Sequence, residues 1–203
     1  MDNTDKVVTL IEECRDMALE VRPPDINQSP YQFSALPDGT IIYGLGAIKG
    51  VGEGAIESLI EERRQGGEFQ SLEEMCRRID TQKTNRRVLE AMIRAGALDS
   101  LGCNRASLMA WLPEALQRAD QFQRDQAVGQ DDLFGGAVVA AETEPMPHIA
   151  EWQELDRLQE EKDTLGLYLT GHPINRYLDE LARFTSSRIA DILVDAPVPV
   201  ETD

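Results

Sequence analysis

Gly50-Val51-Gly52 stands immediately before Glu53, and an apolar stripe of helical period begins two residues later at Ala55. Glycine adopts positive φ without a Cβ penalty, so such a turn can aim successive backbone N–H groups outward at a helix N-terminus. Unpaired donors and the helix dipole at that end favour an anion, a phosphate group above all. Lys49 and Gly54 flank the turn, and Val51 is placed to anchor it in a core. A plain tight turn between helices is the other reading of the same residues. Gly44-x-Gly46 and Gly50-x-Gly52 together also invite a dinucleotide fingerprint, but no βαβ pattern surrounds them.

A second turn of the same kind follows. Val88 to Asp99, then Asn104 onward, reads as a degenerate helix–turn–helix whose turn contains Ala95-Gly96-Ala97. Stacked, the two pairs would form a compact four- to five-helix unit with two phosphate-facing turns, one for each strand of a DNA duplex. Contacts of this type reach the backbone and not the base edges, so binding should be independent of sequence. Lys83, Arg86, Arg87 and Arg94 gather near the second pair and could add phosphate contacts; a solvated face neutralising Glu90 and its neighbours is the bland alternative.

The elements that must position these turns are mainly helical. Val7, Leu10, Ile11, Cys14, Met17, Ala18 and Val21 recur at helical spacing up to Pro23-Pro24. Tyr31–Ala35 and Thr40–Tyr43 flank Leu36-Pro-Asp-Gly39 and predict a small β-hairpin. Helices are predicted from Glu53 to Gly66-Gly67, from the capping box Ser71-Leu-Glu-Glu74 through Ile79, from Thr84 to Gly96, and from Asn104 onward, with Pro113 kinking or breaking the last. Asp125 to Pro147 has no period and collects glycine and proline, a loop signature. Helicity returns around Trp152, Leu155 and Leu158 and again at Tyr177, Leu178, Leu181 and Ala182.

Within the loop, Gln130-Asp131-Asp132-Leu133-Phe134 presents two large apolar side chains where a loop is normally polar. Such a peptide can seat Leu133 and Phe134 in an apolar pocket of a partner while the Gln130 amide hydrogen-bonds at a second subsite. Burying the pair stabilises by roughly 3–6 kcal/mol before the ordering cost of the segment. The alternative is a loop folded back onto its own core.

Composition limits the partners. The 203 residues carry a net charge of −17, which argues against a general nucleic-acid coat or a membrane-surface role. Charge is uneven: residues 44–105 balance at ten basic and ten acidic groups, whereas residues 106–203 hold seven against 19. The middle third is therefore where DNA would be tolerated. Cys14, Cys76 and Cys103 are odd in number and far apart, so neither a disulfide framework nor a zinc site is expected. His148 and His172 lie beside prolines without partners at ligand spacing, and no metal is expected. The first thirty residues exclude a signal peptide and no apolar run is long enough to span a bilayer, so a soluble, cytoplasmic protein is expected.

With the glycine turn, the degenerate second turn and the pentapeptide in this order, the chain resembles the alpha subunits of bacterial DNA polymerase III, the replicative polymerase. Tyr43–Lys49, Glu13–Asn27, Ala95–Gly102 and Leu165–Pro173 carry the likeness, which spans roughly Lys6 to Ile192. The resemblance implies four stretches: the end of a fingers region (1–38), a tandem helix-hairpin-helix DNA-binding domain (39–125), a loop with a sliding-clamp-binding motif (126–150), and a helical connector toward an absent OB-fold (151–203). It places Gly50, Val51 and Gly52 on the first hairpin and Gln130 to Phe134 on the motif for the clamp, the polymerase's beta subunit. The fold class expected is mainly α: a tandem helix-hairpin-helix bundle, a small β-hairpin, a flexible loop and connector helices.

Duplex DNA, the sliding clamp and other subunits of the polymerase III holoenzyme are the partners implied. In the family, palm-domain aspartates hold two catalytic Mg ions; they have no counterpart here, so a non-catalytic fragment without a cofactor is expected. The function implied is to hold duplex DNA and tether the polymerase to its clamp for processive replication. A helix-hairpin-helix repair enzyme is the alternative from another class, but it needs a catalytic Asp or nucleophilic Lys beside the hairpin, and Lys49 precedes the turn. A structural helical adaptor, suggested by the negative charge, is the third.

Overall fold

The computed structural model describes residues 4–127 and 146–185. Helix α1 (Thr4–Asp16) ends five residues before the stripe that predicts it does. Ala18 turns the backbone to φ 57°, and the Leu19 N–H closes the helix on the Cys14 carbonyl at 2.8 Å. Val21, the last residue of the predicted stripe, belongs instead to strand β1 (Val21–Arg22).

The Pro-Asp-Gly hairpin forms as expected. β2 (Ser34–Ala35) pairs antiparallel with β3 (Ile41–Ile42), Ala35 opposite Ile41. The Asp38 carboxylate accepts the Thr40 N–H at 2.9 Å and fixes the turn. What periodicity did not announce is the third strand: β1 joins β3 in parallel, giving the order β1-β3-β2.

The helices then follow in the predicted sequence: α2 (Glu53–Gly66), α3 (Leu72–Arg78), α4 (Arg86–Arg94), α5 (Arg105–Ala127) and α6 (Glu154–Leu165). Ser71 Oγ accepts the Glu74 N–H at 3.2 Å, while Glu74 reaches back to the Gln70 N–H, one residue further than a capping box requires. Asn85 caps α4 by accepting from Arg87 and Val88. Pro113 neither ends nor interrupts α5, whose Trp111, Leu112, Ala115 and Ala119 are buried on either side of it. Packing outweighs the one backbone hydrogen bond that proline removes.

One core collects Ile56 and Leu59 of α2, Met75 and Cys76 of α3, Leu89 and Met92 of α4, Leu108 and Leu112 of α5, and Leu165 at the end of α6. The chain divides after Thr170, and α6 belongs with the first unit. In the second unit a short 3₁₀ turn (Pro173–Tyr177) leads into α7 (Leu178–Phe184), whose Leu178 and Phe184 are exposed. Among the described residues no helix is long and apolar enough to cross a membrane.

Candidate nucleic-acid interface

Hairpin 1 is the turn between the 3₁₀ segment Leu45–Ala47 and α2. Lys49 is bound through its N–H to the Thr164 carbonyl at 2.9 Å, and the Val51 N–H reaches the Ile48 carbonyl at 3.3 Å. Gly50 sits at φ 83°, a conformation that glycine allows and L side chains resist. The turn delivers the chain into α2 with Gly52 as a cap that has no side chain. Among the described residues, the N–H groups of Gly50, Gly52, Glu53 and Gly54 have no acceptor. Lys49, Gly50, Gly52 and Gly54 are exposed, and Val51 packs against the core as its sequence position suggests.

Gly52 is the N-cap of α2, a position that glycine favours over alanine, whereas Gly54 has no internal reason to be glycine. Gly52 has an ordinary extended φ of −80° and Gly54 lies in the first turn of α2, and a Cβ at either would meet open space. In a helix, glycine costs about 0.5–1 kcal/mol relative to alanine. The contrast lies a few residues upstream: a Cβ on Gly44 would come within 2.5–2.7 Å of the Tyr31–Phe33 backbone, and one on Gly46 within 2.9 Å of the Tyr31 ring. Those two glycines serve the fold; Gly52 and Gly54 leave an open, donor-rich surface.

Hairpin 2, between α4 and α5, also has glycines at positive φ, Gly96 and Gly102, but differs in what its helix donors meet. The donors at the start of α5, unlike those of α2, are already taken within the chain. The Glu151 carboxylate accepts the Arg105 N–H at 3.0 Å and the Ala106 N–H at 3.1 Å, and Asn104 Oδ1 accepts the Ser107 N–H at 2.8 Å. Burial alone would raise the Glu151 pKa, but three backbone donors, Trp152, Arg105 and Ala106, together with the Arg105 charge, hold it below the usual value. A carboxylate of the protein's own chain thus stands where hairpin 1 has nothing. The Ala97 carbonyl accepts the Ile26 N–H at 2.7 Å, and Ser100 Oγ donates to Asp25 at 2.9 Å, so the turn is tied into the Pro23–Asn27 segment as well.

Beneath hairpin 2 lies Arg105, 1% exposed. Its guanidinium packs on Gly96, pairs with Asp99 at 2.8 Å and with the buried Glu161 at 3.0 Å, and donates to the Arg94 carbonyl at 3.3 Å. Burial works against its charge, but the hydrogen bonds and charges of Asp99 and Glu161 prevail and keep it firmly protonated. Sequence reading missed Arg105, Glu151 and Glu161. Arg105 shares the helical stripe of Leu108 and Leu112, which is a signal for a buried arginine; Glu151, 46 residues from its donor, leaves none in local pattern.

The basic residues near the second pair do not form one patch. Lys83 stands 3.8 Å from Asp80, Arg86 2.7 Å from Glu90, and Arg94 3.3 Å from Glu160. Lys83, Arg86 and Arg87 sit at the start of α4, whereas Arg94 ends it, about 12 Å away along the axis. Arg87 is exposed and has no carboxylate within salt-bridge distance among the described residues. The pentapeptide Gln130–Phe134 lies outside the described residues.

A mainly α bundle carries a glycine turn that feeds a helix, and a second, degenerate turn follows it. Residues 18–108 match the family model described as a helix-hairpin-helix motif. Over nearly its whole length the chain is similar to one segment of DNA polymerase III subunit alpha, in agreement with the motifs quoted above. It is 50% identical over 191 residues to that of Vibrio cholerae, 51% over 197 to that of Escherichia coli K12, and 49% over 210 to that of Pseudomonas aeruginosa, alignments that cover 93–95% of this chain. The chain spans 16–18% of the length of these relatives. Among the described residues no group of three or more His, Cys, Asp or Glu could hold a metal ion.

Proposed function

We propose that this chain is a non-catalytic module of a replicative DNA polymerase that grips the duplex backbone through hairpin 1 and tethers the polymerase to its sliding clamp. The observation that carries the DNA contact is the open space above Gly52 and Gly54, beside four N–H groups that have no acceptor among the described residues. A phosphate needs close approach to the backbone, and a Cβ at either position would stand in its way. Lys49 at the rim adds a long-range attraction. Binding is independent of sequence because no base edge is reached.

The experiment is titration of a labelled duplex with the wild-type chain and with a Gly52→Leu, Gly54→Leu variant at two salt concentrations. Wild-type affinity falls with salt and the variant loses at least about tenfold while its circular dichroism is unchanged. Equal affinity of the two proteins sinks the assignment of hairpin 1.

The clamp contact is supported by Leu133 and Phe134, apolar residues in an acidic, aperiodic stretch, and by the similarity to polymerase III alpha subunits. A clamp ring around the duplex raises the local concentration of polymerase at the primer end, so a weak peptide contact yields processive synthesis. Titration against purified clamp, beside a variant with Gln130, Leu133 and Phe134 changed to Ala, decides it: micromolar binding is lost in the variant, and no binding by either protein refutes the tether.

A further inference from the structure

Helix α6 is bonded to both hairpins. Toward hairpin 1, the Thr164 carbonyl accepts the N–H of Lys49, the residue that opens the glycine turn, at 2.9 Å. The Leu165 carbonyl accepts the buried Tyr43 hydroxyl at 3.2 Å, and burial pushes the phenol's pKa up, so this donor stays neutral. Toward hairpin 2, one helical turn earlier, Glu161 is fully buried. Its Oε1 accepts from Arg105 at 3.0 Å and from the Thr170 hydroxyl at 2.7 Å, and its Oε2 accepts the Thr170 N–H at 3.1 Å. Glu160 adds an ion pair to Arg94 at 3.3 Å.

The apolar side chains Leu158, Leu165 and Leu167 are buried and account for the attachment of α6. They do not account for a buried charge pair at its centre. Such pairs add little net stability compared with apolar residues of similar volume, and their best-attested use is to fix register. Sliding or rotating α6 would strand Glu161 and Arg105, so the pair fixes the axial position of the helix and with it the Thr164 carbonyl, three residues further on.

We propose that Glu161 is a positioning residue for hairpin 1: paired with Arg105, it registers α6 against hairpin 2, and the Thr164 carbonyl transmits that register to the Lys49–Gly52 backbone. The consequence for DNA rests on the reading of hairpin 1 given above; the consequence for the backbone does not. Preorganised N–H groups bind an anion without an ordering cost, and a looser turn binds it more weakly.

The test uses the 203-residue chain, a Glu161→Gln variant, and a double variant with Arg105→Met and Glu161→Leu that replaces the pair with apolar volume. Hydrogen exchange at the Lys49 amide, the denaturant midpoint and duplex affinity are measured for each. The expected result is Lys49 exchange faster by about tenfold in both variants, including a double variant whose midpoint matches wild type. Duplex affinity falls about three- to tenfold alongside it. A double variant as stable as wild type that keeps Lys49 protection overturns the proposal, since a merely structural pair predicts that outcome. Wild-type protein that fails to bind duplex refutes the DNA reading alone, because the exchange rate at Lys49 still decides whether Glu161 sets the turn.

Discussion

Hairpins 1 and 2 are built to one plan, a glycine at positive φ delivering the chain toward a helix N-terminus, and they use it in opposite ways. In hairpin 1 the first N–H groups of α2 are unsatisfied, and Gly52 and Gly54 keep the approach clear. In hairpin 2 the first N–H groups of α5 bind Glu151, and one of its two glycines, Gly96, makes room for the buried Arg105. The same backbone donors can therefore recognise an external anion or be satisfied by an internal one, and which occurs depends on a residue far away in sequence. Duplication of the motif does not imply duplication of the contact.

The comparison breaks most severely at Arg105. Arg105→Leu leaves Glu161 buried without its counter-charge, and destabilisation of about 3–5 kcal/mol is expected by chemical denaturation. A loss under 1 kcal/mol would mean that hairpin 2 is not held from within. Next in size, Glu151→Ala removes the carboxylate that accepts the first two N–H groups of α5, leaving the Asn104 cap, and should cost about 0.5–2 kcal/mol, with duplex affinity within about twofold of wild type. A large gain in affinity would show that hairpin 2 becomes a second phosphate contact once its own carboxylate is removed.

Gly54→Ala sharpens hairpin 1 in the other direction. The fold gains about 0.5–1 kcal/mol, because glycine in a helix is replaced by alanine in open space, while duplex binding weakens. A variant that gains stability and binds as before would remove the reason offered for Gly54. The smallest effect is in pH dependence. The folded pKa of Glu151 lies below its ordinary 4.5, so the unfolded chain takes up that proton first. The stability added by the carboxylate is whole above that value and is lost as the pH falls through the folded pKa. Glu151→Gln should flatten the fall in denaturant midpoint below pH 4.5, and an unchanged slope would count against the carboxylate as an internal anion.

Much of the fold was legible because local signals carried it. Ser71, Asn85 and Asn104 are caps at or beside the predicted helix starts, and Leu36-Pro-Asp-Gly39 makes the predicted hairpin. Local patterns failed where distant residues decide. The stripe through Val21 reads as helix, but Ile41 offers Val21 a strand partner. Pro113 reads as a kink or a break; α5 runs through it unbroken, with buried neighbours on both sides. At the interface, Gly50-Val51-Gly52 was visible as a donor-rich turn, whereas the closure of hairpin 2 by Glu151 and of its underside by Glu161 depends on contacts 46 and 56 residues apart.

Amide chemical-shift mapping of the isotope-labelled chain during titration with a short duplex tests the central claim most directly. The account predicts shifts or broadening at Gly50, Gly52, Glu53 and Gly54 and unchanged signals at Arg105 and Ala106. Perturbation of Arg105 and Ala106 equal to that of the Gly50–Gly54 amides, or perturbation of the α5 start alone, would contradict it.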